Sequence, residues 1–196
     1  PDQAALLAGE LARQAADLSG EAVVVAGSIP PLSESYRPDM VPPADEAAPI
    51  YANLVRALEK SVDVFFCETM SSADEAFNAA SAAVEFGNTK PVYVSWTLDE
   101  TPGAGLRSGE PISAAYQKLS SLPIAGFLFN CTHPEAVEEG IRTLKRLTDK
   151  PIGGYANRLN RVREDWTLDN DVVTGLRPDL DVAEFVQAAK RCVDAG

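Results

Sequence analysis

One couplet recurs along the chain: an amphipathic helical stretch followed by a short run of apolar, β-branched or aromatic residues. Leu6, Leu7, Leu11, Ala15 and Leu18 carry a helical period, and Glu21–Ala26 (EAVVVA) then reads as a strand. Ala44–Lys60 precedes Val62–Cys67, Ser72–Phe86 precedes Pro91–Trp96, and Glu110–Ser120 precedes Ile124–Phe129. Pro134–Leu147 precedes Pro151–Tyr155, and Val182–Asp194 ends the series as a helix. Unbroken apolar runs suit strands covered on both faces, as in parallel sheets. The strand starts at 21, 62, 91, 124 and 151 lie 27 to 41 residues apart, room for one βα unit of roughly 30 residues each. The spacing predicts an α/β fold, either a doubly wound open sheet or part of a (β/α)8 barrel. No Gly/Ser linker or change of composition divides the chain, so residues 1–196 read as a single domain.

Composition narrows the function classes. Lys and Arg number 17 against 29 Asp and Glu, a formal net charge of -12, which argues against nucleic acid as a partner because phosphate binding needs clustered cations. No apolar run approaches the roughly 18–20 residues of a membrane span, and no basic-then-apolar leader opens the chain. Three cysteines, Cys67, Cys131 and Cys192, are too few and too widely spaced for a disulfide framework, which makes a cytoplasmic protein the expectation. The chain opens at Pro1 in mid-pattern and closes on Asp194-Ala195-Gly196 just after a helix. Both ends read as cuts in a longer protein.

Ligands of parallel α/β folds bind at the carboxyl ends of the strands. Those positions hold Gly27-Ser28, Cys67-Glu68-Thr69, Ser95-Trp96-Thr97, Asn130-Cys131-Thr132 and Tyr155-Ala156-Asn157. A Ser or Thr at such an end often caps the next helix, but five polar ends on one rim point to a site. Cys67 and Cys192 suit packing. Cys131 sits between a strand end and a helix start, a setting that favours a thiolate as nucleophile or metal ligand, with packing an equal alternative. Glu68 closes an apolar run, where an acid needs partners; it reads either as a core-edge carboxylate or as a grip for a substrate ammonium. His133, the only histidine, suits a cap or the surface, as does Thr132. The long segments 27–43 and 156–181 are loops of functional length. No Walker loop, G-x-G-x-x-G or H-E-x-x-H occurs.

The segments VAGSIPP (24–30), SYRPD (35–39), VDVFFCETMSSADEA (62–76), FLFNCTHPEAV (127–137) and GGYANR (153–158) together resemble the homocysteine S-methyltransferase family, in its order and spacing. That resemblance implies a (β/α)8 barrel, incomplete here, with about five βα units present and the first two strands and the last missing. It implies one Zn2+ held by three cysteines, of which Cys131 is one and an adjacent pair expected beyond Gly196 supplies the others. It also implies transfer of a methyl group from S-methylmethionine, betaine or a methylfolate to the zinc-bound thiolate of homocysteine, giving methionine. Glu68 would meet the amino-acid end of homocysteine, and Thr69, Asn130, Tyr155 and Asn157 would shape the pocket. The family's early D-G-G and late G-G-C-C segments are absent, which leaves one zinc cysteine in this chain and predicts that it is inactive alone. Two other readings compete: a barrel-derived module without zinc that binds or supports something else, and covalent thiol chemistry at Cys131 with Glu68 as base.

Overall fold

The computed structural model describes residues 2–169 and 174–196. Among these residues six α-helices alternate with five strands: α1 (Asp2–Leu18), β1 (Ala26–Ile29), α2 (Ala44–Leu58), β2 (Val64–Met70), α3 (Ala73–Phe86), β3 (Val92–Trp96), α4 (Ile112–Lys118), β4 (Ile124–Asn130), α5 (Pro134–Lys145), β5 (Ile152–Tyr155) and α6 (Val182–Ala195). The strands form one parallel sheet in chain order, β1-β2-β3-β4-β5. Of the loop 156–181, residues 170–173 lie outside the described residues.

Successive side chains of a strand point to opposite faces, and here the two faces differ in chemistry. Phe65 and Cys67 on β2, Val92, Val94 and Trp96 on β3, and Phe127 and Phe129 on β4 are buried in the core. Trp96 stacks on Phe127 at 5.4 Å between centroids and leans on Phe129 at 6.2 Å. The small-residue face of α3 (Ala73, Ala76, Ala79, Ala80 and Ala83, all buried) lets that helix lie close against the sheet. The opposite face carries Phe66 stacked on Tyr93 at 5.0 Å, and nearer the rim Glu68, Ser95, Asn130 and Tyr155.

That second face is concave. The Tyr155 hydroxyl on β5 donates to Glu68 on β2, three strands away in sheet order. Neighbouring strands sit about 4.8 Å apart, so a flat sheet would separate these strands by roughly 14 Å. Side chains stand roughly perpendicular to a sheet, so their meeting fits a sheet curled as in a barrel wall. The architecture is a parallel α/β fold with the curvature of a partial (β/α)8 barrel.

The couplets fall where the sequence places them, with one shift. The first strand is not Glu21–Ala26 but Ala26–Ile29. Pairing with β2 begins at Ala26 opposite Val64, and just before it the Asp63 carboxylate accepts the Val25 N–H at 2.8 Å while Val25 accepts the Asp63 N–H. The valines that suggested a strand, Val23 and Val24, are 47% and 66% exposed, so the apolar run has no partner there. Ser72 caps α3, its hydroxyl accepting the Glu75 N–H. His133 takes the cap position of α5 without a side-chain cap bond, its ring instead meeting the Leu159 carbonyl at 2.8 Å. Thr132 donates to the Leu98 carbonyl. No described helix is long and apolar enough to cross a membrane.

Candidate functional site

The carboxyl ends of β2, β3, β4 and β5 converge around the Asn130 amide. Its oxygen accepts the Thr69 N–H at 2.9 Å and the Ser95 hydroxyl at 2.6 Å. Its nitrogen donates to Thr69 Oγ1 at 2.8 Å and to Cys131 Sγ at 3.1 Å. The Thr69 hydroxyl is a further donor toward that sulfur, at 3.8 Å. Thr69 and Cys131 both hold left-handed backbone, with φ of 61° and 54°, an uncommon state for a side-chain-bearing residue and a genuine outlier for β-branched Thr69. Such strain persists only where surrounding bonds enforce it, and one buried amide bonded to both residues does so.

Beside this hub lies the Glu68–Tyr155 pair. Burial pushes the Tyr155 phenol above its ordinary range, and its bond to the Glu68 carboxylate pushes it further, so Tyr155 stays protonated as a donor. Cys131 N–H donates to the Tyr155 carbonyl at 3.3 Å, which sets the β5 rim next to the thiol. Ala26, Ser28, Phe66, Glu68 and Tyr155 line a small cavity of about 190 Å³ on the concave face.

Three loop segments meet beside the thiol. Tyr36, itself left-handed with φ of 66°, has its phenol at Cys131; burial and then the nearby sulfur raise its pKa. Its ring meets Trp166 edge-on at 5.3 Å, and the Arg107 guanidinium lies 5.7 Å from the ring centre. Arg37 donates to the Trp166 carbonyl, and the Leu168 N–H donates to Glu34. Val162 is clasped at both ends, its N–H donating to Glu100 and its carbonyl accepting from Arg107. Glu100 and Arg107 are themselves buried and paired at 3.5 Å.

A tetrahedral zinc site needs three protein ligands and an open position, or four ligands. Among the described residues no group of three His, Cys, Asp or Glu could hold a metal ion. Cys67 is fully buried on the helix side of the sheet, and burial drives its thiol pKa well upward. Cys192 on α6 faces the Pro134 carbonyl at 3.8 Å. Cys131 alone stands at the rim, so the described residues do not by themselves make a zinc site.

The sequence model of the homocysteine S-methyltransferase family matches residues 2–196. The chain belongs to that family. Among solved structures, the homocysteine methyltransferase MmuM from Escherichia coli in its metallated form aligns with a TM-score of 0.71 at 23% identity, covering 80% of this chain and 58% of that one. Its apo form gives a TM-score of 0.65 at 20% identity, covering 80% and 69%, and its oxidized form 0.68 at 19%, covering 80% and 66%. The chain thus spans about 58% of the length of the metallated relative. These identities speak to the fold, and they agree with the partial barrel seen here. No curated protein matches the chain.

Of the residues singled out from the sequence, Glu68, Thr69, Asn130, Cys131 and Tyr155 come together. Asn157 stands apart: its side chain accepts the Leu159 N–H at 3.1 Å and its N–H reaches the Thr132 carbonyl, so it shapes its own turn. Ser95 and Tyr36 belong to the cluster without having been chosen from the sequence. Their signals were a polar strand end for Ser95 and, for Tyr36, a place in the SYRPD segment of a long loop.

Proposed function

We propose that this chain forms the homocysteine-binding wall of a methyltransferase that delivers a methyl group to the homocysteine sulfur, giving methionine. The observation that carries the proposal is the Glu68–Tyr155 pair across the concave face, one backbone hydrogen bond from Cys131. Homocysteine bears an ammonium at one end and a thiol at the other. A carboxylate held by a phenol donor suits the first, and Glu68 keeps a second oxygen for it. The substrate thiol then lies toward Cys131, on which the amide of Asn130 and the hydroxyl of Thr69 converge as donors. Donor groups aimed at a sulfur suit one carrying negative charge. The loops of Tyr36 and Trp166 border that end. The donor belongs to the class of S-methylmethionine, betaine or a methylfolate. A zinc ligand role for Cys131 forms part of the same proposal, with two further cysteines from outside this chain, since the described residues supply only one thiol.

The test is homocysteine binding by calorimetry, with Glu68→Ala. Removing a hydrogen bond to a charged group costs about 1.5–3 kcal/mol, a weakening of roughly ten- to a hundredfold. Equal affinity in wild type and variant would sink the assignment of Glu68. In a chain extended past Gly196, Cys131→Ala is expected to abolish bound zinc; retained zinc would remove Cys131 from the ligand set.

A further inference from the structure

Asn130 has no capacity left for a ligand. A side-chain amide offers two acceptor positions and two N–H donors, and all four are occupied by Thr69 N–H, Ser95 Oγ, Thr69 Oγ1 and Cys131 Sγ. The residue is completely buried, as is Ser95. The amide cannot be flipped, because the Thr69 backbone N–H can only donate and so must face the oxygen. The same logic makes Ser95 a donor to that oxygen and turns the nitrogen toward sulfur.

We infer that Asn130 and Ser95 are positioning residues for the Cys131 sulfur: Asn130 aims an N–H at it, Ser95 locks the amide that does so, and neither touches substrate. This rests on the reading of Cys131 as the sulfur beside homocysteine. Ser95 also abuts the Tyr155 phenol. Its hydroxyl therefore stands between the two halves of the site, the Glu68–Tyr155 end that takes an ammonium and the thiol end where a methyl group would arrive.

The experiment follows carbamidomethylation of each cysteine by iodoacetamide at fixed pH, read by peptide mass spectrometry, with buried Cys67 reporting the integrity of the fold. Asn130→Asp keeps the shape and the accepting oxygen but sets a second oxygen against the sulfur. Thr69 can turn its hydroxyl to satisfy that oxygen, whereas the Cys131 sulfur loses the N–H that Asn130 gives it. Cys131 is expected to react about tenfold more slowly than in wild type, with Cys67 still protected. Ser95→Ala should slow it by a smaller factor, about two- to fivefold, and Ser95→Thr, which keeps the hydroxyl, should recover most of the rate. A wild-type rate at Cys131 in Asn130→Asp with Cys67 protected would overturn the inference. Should Asn130→Asp expose Cys67, the serine pair decides, and equal rates in wild type and Ser95→Ala overturn it. Homocysteine calorimetry on the wild-type protein is run alongside: absence of binding removes the substrate reading and leaves the cysteine result standing on its own.

Discussion

Gly140→Ala sets two opposed effects against each other at the helix that follows Cys131. Gly140 lies inside α5, where exchanging glycine for alanine ordinarily gains about 1 kcal/mol of helix propensity. Here a Cβ would meet the Phe129 ring at 2.8 Å and Leu98 Cδ1 at 2.9 Å, closer than real Cβ contacts come. Neither neighbour has room to yield. Phe129 is fully buried beside Trp96, and Leu98 is buried under the same helix. Overpacking a tight core costs about 1–3 kcal/mol, so the packing penalty outweighs the propensity gain. The net is a loss of about 1 kcal/mol, within a range of about 0–2. For a chain of this size the melting temperature should fall by about 2–4 °C. Urea unfolding and thermal melts give the value. A second variant isolates the cause: Phe129→Leu opens space, so Gly140→Ala should cost less in that background than in wild type. A rise in Tm for Gly140→Ala, or equal costs in the two backgrounds, would show that α5 is not pressed on β4 through this glycine. The contact matters for the site because α5 begins three residues after Cys131, so the seating of α5 on β4 sets where the sulfur stands.

Two further outcomes follow from charges and caps. Glu75 is buried, and its carboxyl pKa is raised by that burial, with bonds from the Ser71 N–H and hydroxyl pulling partly back. A raised folded-state value means that its contribution is fully present below the ordinary carboxyl range and is lost as pH rises through the raised value. Glu75→Gln should therefore compare better with wild type at pH 8 than at pH 4 in urea unfolding; a difference independent of pH would refute the sign. Asp181 caps α6, accepting the Glu184 N–H at 2.9 Å. Asp181→Ala should cost about 1 kcal/mol and speed amide exchange in the first turn of that helix; unchanged exchange there would show that the cap is idle.

Most of the fold was legible because burial on both sheet faces writes itself as apolar runs, and Val92–Val94 and Ile124–Phe129 are such runs, each ending just before a polar residue at the rim. The failure at the first strand has a local cause. A run of valines reports a preference for extended backbone, yet a strand exists only where a neighbour's N–H and C=O groups pair with it. At Val25 the chain meets Asp63, whose side chain takes the ladder position just before β2 begins. Pairing then starts at Ala26, a residue with no strand preference, because β2 supplies a partner there. Curvature was beyond periodicity altogether: it shows only in the contact between Glu68 and Tyr155, 87 residues apart.

At the site, residue type and position at a strand end singled out Glu68 and Cys131, an acid and a thiol at the rim of apolar strands, with a packing role left open for each. Asn130 and Ser95 are a different case. A polar residue at a strand end is equally suited to holding a ligand, capping a helix or holding the rim's own backbone, and the choice depends on partners 35 to 61 residues away. The left-handed turns at Thr69 and Cys131 supply the deciding demand. Glycine would reach those angles without steric cost, but it would bring neither the hydroxyl nor the sulfur that the Asn130 amide bonds. Keeping threonine and cysteine there requires bonds that hold each: the Asn130 amide takes the Thr69 N–H and meets both side chains, while the Tyr155 carbonyl takes the Cys131 N–H. An asparagine beside Cys131 is thus as much a consequence of the strained backbone there as of any substrate, and that demand becomes visible only once φ at both residues is known.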